Sequence, residues 1–277
     1  MIRFVRTDYT RISFDDFKPV SAEVLYRDNR RTGFMYDDGT RAMIILDQGL
    51  QRDEAVYAFR CFTERLIRLH QPEKLVVRIN ENYKKIPSLC GFYPKGKWMQ
   101  KFVDPWRLKL PDGVFDDEGM IINQGKMEEV PFGWFNTKTK GCGWIAVYNL
   151  MKINYCELTV DECLKGLDRM ALLGHVAGQM ITLAWIFLRQ KGLRVKRSLP
   201  SDTLTVNAMD NSDSGILLYS HRRGAHYTAY RRVDEKRFQF FNAVYGERNL
   251  VMTPADFLSR YALFPLSCVL YVPKAEA

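Results

Sequence analysis

Twelve consecutive positions, 142–153, read Cys-Gly-Trp-Ile-Ala-Val-Tyr-Asn-Leu-Met-Lys-Ile and are apolar on nearly every side of a helix. A helix with one apolar stripe rests on a surface, but one apolar nearly all round must be covered on most of its circumference. The fold therefore has to bury this helix, with other layers packed about it. The segment opens at Gly141-Cys142-Gly143, directly after a run of small and polar residues at 136–141. A thiol at a helix start faces unpaired backbone N–H groups and the positive end of the dipole, and both favour a thiolate. Lys138 and Lys140 add positive charge nearby. Gly141 and Gly143 leave room for a substrate backbone.

The patterns on either side suggest what surrounds this helix. Thr159 and Glu162 have capping-box spacing and open a second helix. A third is predicted over about 175–191, ending at Gly192. From there the signal turns to β, at 215–219, 226–233, 237–241 and 266–272. One helix interrupts the strands at 253–261, with Thr253 as cap and Pro254 at its first position. Helices followed by an antiparallel sheet make an α+β domain. Turn residues punctuate 110–130, so the expected division is 1–125 and 126–277. In the first region, 41–46 and 74–79 read as strands. Between them, Ala55, Ala58, Phe59, Phe62, Leu66 and Leu69 recur at helical spacing over 53–70. That strand–helix–strand unit predicts a smaller α/β domain.

Six scattered cysteines form no Cys-x-x-Cys pair, so neither a metal site nor disulfides are expected. The chain has no apolar run of membrane-spanning length and does not open like a signal peptide, so a cytoplasmic protein with no membrane partner is expected. The net charge is +9, but basic residues alternate with acids and hydrophobes. This predicts a solvated basic face and no nucleic-acid partner.

A thiol nucleophile needs a base, and the base needs an orienting group. Of the four histidines, His70 ends the first-region helix, His175 opens the third helix and His221 lies in a turn. His226 starts a strand, and the next strand closes on Asn242, so facing strand ends can bring the two together. His175 is expected to be structural, and Trp144 and Trp185 to be core residues.

These residues resemble the papain-like cysteine peptidases, and most of all the bacterial branch that includes the bacteriocin-leader peptidase domains. Gly141-Cys142-Gly143-Trp144 stands where that family has its nucleophile helix. Gly224-Ala225-His226 stands at its Gly-His step, here with Ala225 intervening, and Phe241-Asn242 at its third catalytic position. The resemblance covers roughly 130–272. It implies a papain-like fold and a bacterial cysteine peptidase, or a related amide or thioester hydrolase, acting on a peptide or protein through an acyl-enzyme without a cofactor. It also implies a thiolate–imidazolium pair of Cys142 and His226, oriented by Asn242. The family carries an oxyanion-binding glutamine six residues before the cysteine, and here that position is Asn136. An alternative is a catalytically weakened papain-fold module that binds peptides.

Residues 74–103 resemble the C-terminal part of a GNAT acetyltransferase, through the 75–79 strand, Asn80 or Asn82, Cys90-Gly91-Phe92 and a last strand near 97–102. This would imply an acyl-CoA-dependent transferase. That family's phosphate loop is glycine-rich, whereas the matching stretch here, 48–53, has one glycine and the acidic Asp53. An accessory or partner-binding domain, a degenerate GNAT-like one, is the expected reading.

Overall fold

The structure is a computed structural model that describes residues 2–7, 17–168, 180–222, 224–243 and 249–274. The chain divides into two compact units, Met1–Lys109 with Asp117–Gly119, and Leu110–Asp116 with Met120–Ala277. The punctuated stretch 110–125 thus falls in the second unit, apart from Asp117–Gly119.

The first unit contains β1 (Ile2–Arg6), β2 (Ser21–Arg27), β3 (Arg30–Asp37), β4 (Ala42–Leu46), α1 (Arg52–His70) and β5 (Lys74–Ile79). The short α2 (Ile86–Leu89), β6 (Tyr93–Lys95), β7 (Trp98–Phe102) and α3 (Pro105–Lys109) complete it. Its seven strands form one sheet in the order β1-β2-β3-β4-β5-β7-β6, antiparallel except for the β4–β5 pair, which α1 connects. Asp28 and Asn29 both have positive φ, 49° and 63°, and close the β2–β3 hairpin in two residues. Asp and Asn tolerate this left-handed geometry better than other side-chain-bearing residues, and its twist matches that of the strands.

The second unit opens with the two-residue strands β8 (Pro131–Phe132) and β9 (Phe135–Asn136), followed by α4 (Thr137–Lys140), α5 (Cys142–Ile153), α6 (Val160–Asp168) and α7 (Ile181–Gln190). Then come β10 (Lys196–Arg197), α8 (Asp202–Asp210), β11 (Ser212–His221), β12 (Gly224–Arg232), β13 (Phe238–Phe241), β14 (Asn249–Met252), α9 (Pro254–Tyr261) and β15 (Cys268–Pro273). The six later strands form an antiparallel sheet in the order β10-β15-β11-β12-β13-β14. Helices therefore precede sheet, as the sequence suggests, with α8 as an addition. The start of the third helix expected over 175–191, His175 included, lies outside the described residues.

The sheet is apolar on both faces because the strands alternate. Leu217, Tyr219, Tyr230, Phe238, Phe240 and Val269 share one face and pack with Phe257 and Leu258 of α9 and Met209 of α8. Ile216, Tyr227, Ala229, Phe241 and Leu270 point to the other face, and α5 packs on β11 and β12. In α5, Trp144, Ile145, Val147, Asn149 and Leu150 are fully buried, which is what a helix apolar nearly all round requires.

Asn149 is a polar group at the centre of that helix, and its partners explain it. Its Nδ2 donates to the Ile121 carbonyl (2.8 Å), and its Oδ1 accepts from the Ile121 N–H (2.9 Å). One side-chain amide thus acts as a strand partner for Ile121 and satisfies main-chain groups that would otherwise be buried unpaired. Asn149→Leu is expected to cost about 2–4 kcal/mol, because it strands both Ile121 groups. Urea unfolding measures this, and a change within error of zero would show that Ile121 finds other partners.

Candidate active site

The nucleophile position is built by two successive helix starts. Asn136 is the N-cap of α4: its Oδ1 accepts from the Thr139 N–H (3.1 Å) and the Thr139 hydroxyl (3.0 Å). The buried Thr137 hydroxyl then accepts from Trp144 Nε1 (3.1 Å), tying α4 to α5. Gly141 ends α4 and caps α5. A Cβ there would lie 2.4 Å from Thr137 Cγ2 and 2.6 Å from the Thr137 carbonyl oxygen, so only glycine lets the two helices join this tightly. Its role in the fold is close internal approach, where the sequence suggested space for substrate.

Cys142 is the first residue of α5 and is half-buried. The main-chain N–H groups of Tyr227, Gly143 and Cys142 itself are placed to favour its thiolate. The Tyr227 donor exists because β12 overhangs β13: the last β12–β13 pair is Ala229 with Phe241, and Tyr227 lies beyond it. The thiol thus lies near the main chain of the residue that follows His226.

His226 pairs across the β11–β12 ladder with Tyr219. Its ring packs edge-on against Tyr219 and His221, each at 5.8 Å between centroids. Its Nε2 lies 2.8 Å from the main-chain carbonyl oxygen of Asn242. A carbonyl can only accept, so Nε2 carries the proton and Nδ1 has the lone pair of a base.

Asn242 meets His226 through its backbone rather than its amide. Its φ is 55°, a left-handed turn that Asn tolerates. Its side chain is turned to Gln124 instead: Asn242 Nδ2 donates to Gln124 Oε1 (2.9 Å), and Asn242 Oδ1 accepts from the Gln124 N–H (3.1 Å). The amide expected to orient the imidazole thus forms a reciprocal pair with Gln124, a residue that the sequence did not single out.

The electrostatics also differ from the expected thiolate–imidazolium pair. Burial pushes the Cys142 thiol up, and the Tyr227 and Gly143 N–H groups and the Lys140 charge pull it only part of the way back. Burial pushes His226 down, opposed by its bond to Asn242. Both residues retain some accessible area, yet protein atoms crowd the titrating groups, and loss of water dominates. Both directions favour the uncharged forms, a thiol at Cys142 and an imidazole at His226. Lys138, expected to act alongside Lys140, pairs with Glu128 at 2.7 Å.

In the first unit, the stretch that the resemblance matches to a phosphate loop leads into the N-terminus of α1. Leu50 N–H donates to the Tyr83 hydroxyl (3.0 Å), which itself donates to the Asp47 carbonyl (2.8 Å). Gln51 N–H donates to Glu54 Oε2 (3.1 Å), and Asp53 and Glu54 place two acids in the first turn. Asn80 bonds both the N–H and the carbonyl of Leu46, each at 3.1 Å, where β4 passes the end of its pairing with β5. The Leu50 and Gln51 N–H groups are thus engaged within the chain, and two acids stand in the first turn of α1, where an anion would bind.

Among the described residues, no group of His, Cys, Asp and Glu is arranged to hold a metal ion, and no helix is long and apolar enough to cross a membrane. All six cysteines are unbridged. No protein-family model matches the chain, and no curated protein does. Among solved structures, the chain is similar to the peptidase domain of Streptococcus ComA, a bi-functional ABC transporter involved in a quorum-sensing pathway. The identity is 12 % and the TM-score 0.36, over 48 % of this chain and 92 % of that one.

Proposed function

We propose that the second unit is a papain-like cysteine hydrolase that cleaves amide or thioester bonds, with a peptide or protein as substrate. The observation that carries this reading is the packing of α5, which Cys142 opens, against β12, which bears an imidazole whose Nε2 meets the Asn242 carbonyl at 2.8 Å. The helix start that bears the thiol, the strand that bears the imidazole and the turn after β13 that bears Asn242 then supply nucleophile, base and orienter.

In this mechanism the Cys142 proton passes to His226 Nδ1 as the sulphur attacks the carbonyl carbon. The negative oxygen is held by the Cys142 main-chain N–H and by Asn136 Nδ2, the half of that amide not engaged with Thr139. The carbon–nitrogen or carbon–sulphur bond breaks, and His226 returns the proton to the leaving group. Water, deprotonated by His226, then hydrolyses the thioester and restores the thiol. Because the resting couple is neutral, His226 acts as a general base at the moment of attack.

The pH dependence follows from the two directions. A raised thiol holds less thiolate at any given pH, so iodoacetamide, which needs the thiolate, should alkylate Cys142 more slowly at pH 7 than it does a free thiol. The rate should keep rising past the ordinary thiol range, near 8.5. A lowered imidazole stays neutral further into acid, so ester hydrolysis should persist below about pH 6.5, the usual histidine value. Alkylation at pH 7 faster than that of glutathione would contradict the neutral couple.

The reading itself is tested by digesting a peptide library with the wild type and Cys142→Ala, followed by sequencing of new termini. Cleavages that vanish in the variant support a peptidase. One observation favours the second reading, a peptide-binding module: the Asn136 oxygen is fixed in a helix cap, which restricts its nitrogen. Wild-type protein that retains library peptides without producing Cys142-dependent termini would decide for it.

A further inference from the structure

Gln124 uses every hydrogen-bonding group of its side chain, and it does so between two elements of the candidate site. Its Nε2 donates to the carbonyls of Thr137 (3.3 Å) and Lys138 (3.1 Å) in α4, the turn that leads into Cys142. Its Oε1 accepts from Asn242 Nδ2, and its own N–H donates back to Asn242 Oδ1. Asn242 in turn holds His226 through its carbonyl. An unbroken chain of hydrogen bonds thus runs from the nucleophile-bearing helix entry, through Gln124, to the base.

We infer that Gln124 is a positioning residue for the hydrolysis, one that sets the spacing and alignment of Cys142 and His226. This rests on the hydrolase reading of those two residues. With both N–H groups on α4 carbonyls, Gln124 is not itself an oxyanion donor, and its influence on the reacting atoms passes through α4 and Asn242. A left-handed turn at a residue that bears a Cβ needs outside support to stay in place. The amide pair supplies it, and it keeps the Asn242 carbonyl aimed at Nε2.

The test uses the full chain and two variants. Gln124→Met keeps an unbranched side chain of similar size and removes all three side-chain bonds. Gln124→Glu keeps the acceptor for Asn242 but sets oxygen against the α4 carbonyls. The readouts are the imidazole 15N shifts of His226, which report its tautomer, and the steady-state kinetics of p-nitrophenyl acetate hydrolysis. With Gln124→Met, the His226 nitrogens should move toward a mixture of tautomers, and kcat should fall about tenfold while KM stays within about twofold, a loss on the scale of one hydrogen bond. With Gln124→Glu, the His226 shifts should stay as in the wild type while kcat still falls. Wild-type 15N shifts and wild-type kcat in both variants would overturn the inference. If the wild type shows no Cys142-dependent hydrolysis, the hydrolase reading fails, yet the 15N comparison still decides whether Gln124 holds His226. Should Gln124→Met not fold, Gln124→Glu decides through kcat alone, and an unchanged kcat overturns the role.

Discussion

His226→Ala should slow the acylation of Cys142 by p-nitrophenyl acetate by about 100- to 10,000-fold at pH 7, the range for losing a positioned general base. The large size follows from the neutral resting couple. With the thiol pushed up by burial, almost no thiolate is present at neutral pH, and attack depends on proton removal as the new bond forms. In an enzyme resting as an ion pair, part of the nucleophile would survive as thiolate stabilised by the α5 N-terminus. The measurement is the stopped-flow burst of p-nitrophenolate, with added imidazole as a control. Partial recovery with imidazole would show that the missing element is a base and not a collapsed fold. A loss of less than about fivefold, far under the general-base range, would mean that His226 does not serve the thiol.

Asn136→Asp should lower the same rate by about 100- to 1,000-fold without lowering thermal stability. Asp caps a helix as well as Asn does, so the bonds to Thr139 that define the start of α4 survive. What disappears is Nδ2, the only part of this side chain able to donate to a developing oxyanion, and such donors contribute on that scale. The substitution thus separates two roles that Asn136→Ala would merge. An unchanged rate would leave Asn136 as a cap alone, with the oxyanion held by main chain, and would strengthen the peptide-binding alternative. A loss of stability together with activity would indicate that the carboxylate disturbs the cap, and Asn136→Ser, which also caps without an amide, would then decide.

The parts of this fold that were legible in the sequence are those set by local pattern. The α5 helix follows from twelve residues that cannot be left in water. The α6 start is readable because Thr159 and Glu162 reciprocate, with Thr159 N–H to Glu162 Oε2 at 2.8 Å and Glu162 N–H to Thr159 Oγ1 at 3.1 Å. The start of α9 is equally local, with the Thr253 hydroxyl accepting from Asp256 N–H (3.2 Å) ahead of Pro254. Strands β1 to β3 escaped a period-two reading. Their clearest signal is the Asp28-Asn29 pair, whose tight turn joins two runs that alternate only imperfectly.

The candidate site could be proposed from residue types but not from contacts. Cys142, His226 and Asn242 could be chosen because thiol, imidazole and amide each suggest a role. The sequence could not show that Asn242 meets His226 through its carbonyl, since every residue has one. What singles out Asn242 is its φ of 55°, a backbone property. Gln124 was invisible for a different reason: its partner Asn242 is 118 residues away, and no local pattern links them. The upward push on the thiol was not legible because a helix N-terminus can be read from sequence, whereas desolvation depends on tertiary packing. Asn136 was chosen for its distance from Cys142, which says nothing about which end of the amide points where.

The most direct test of the central claim is to trap the acyl-enzyme. The protein would be mixed with p-nitrophenyl acetate, quenched in acid within the burst, digested and mapped by mass spectrometry. The account predicts an acetyl group on Cys142, labile to hydroxylamine as a thioester must be and nearly absent in His226→Ala. Unmodified Cys142 during full turnover, or labelling equal to that of the other cysteines and insensitive to His226, would contradict it.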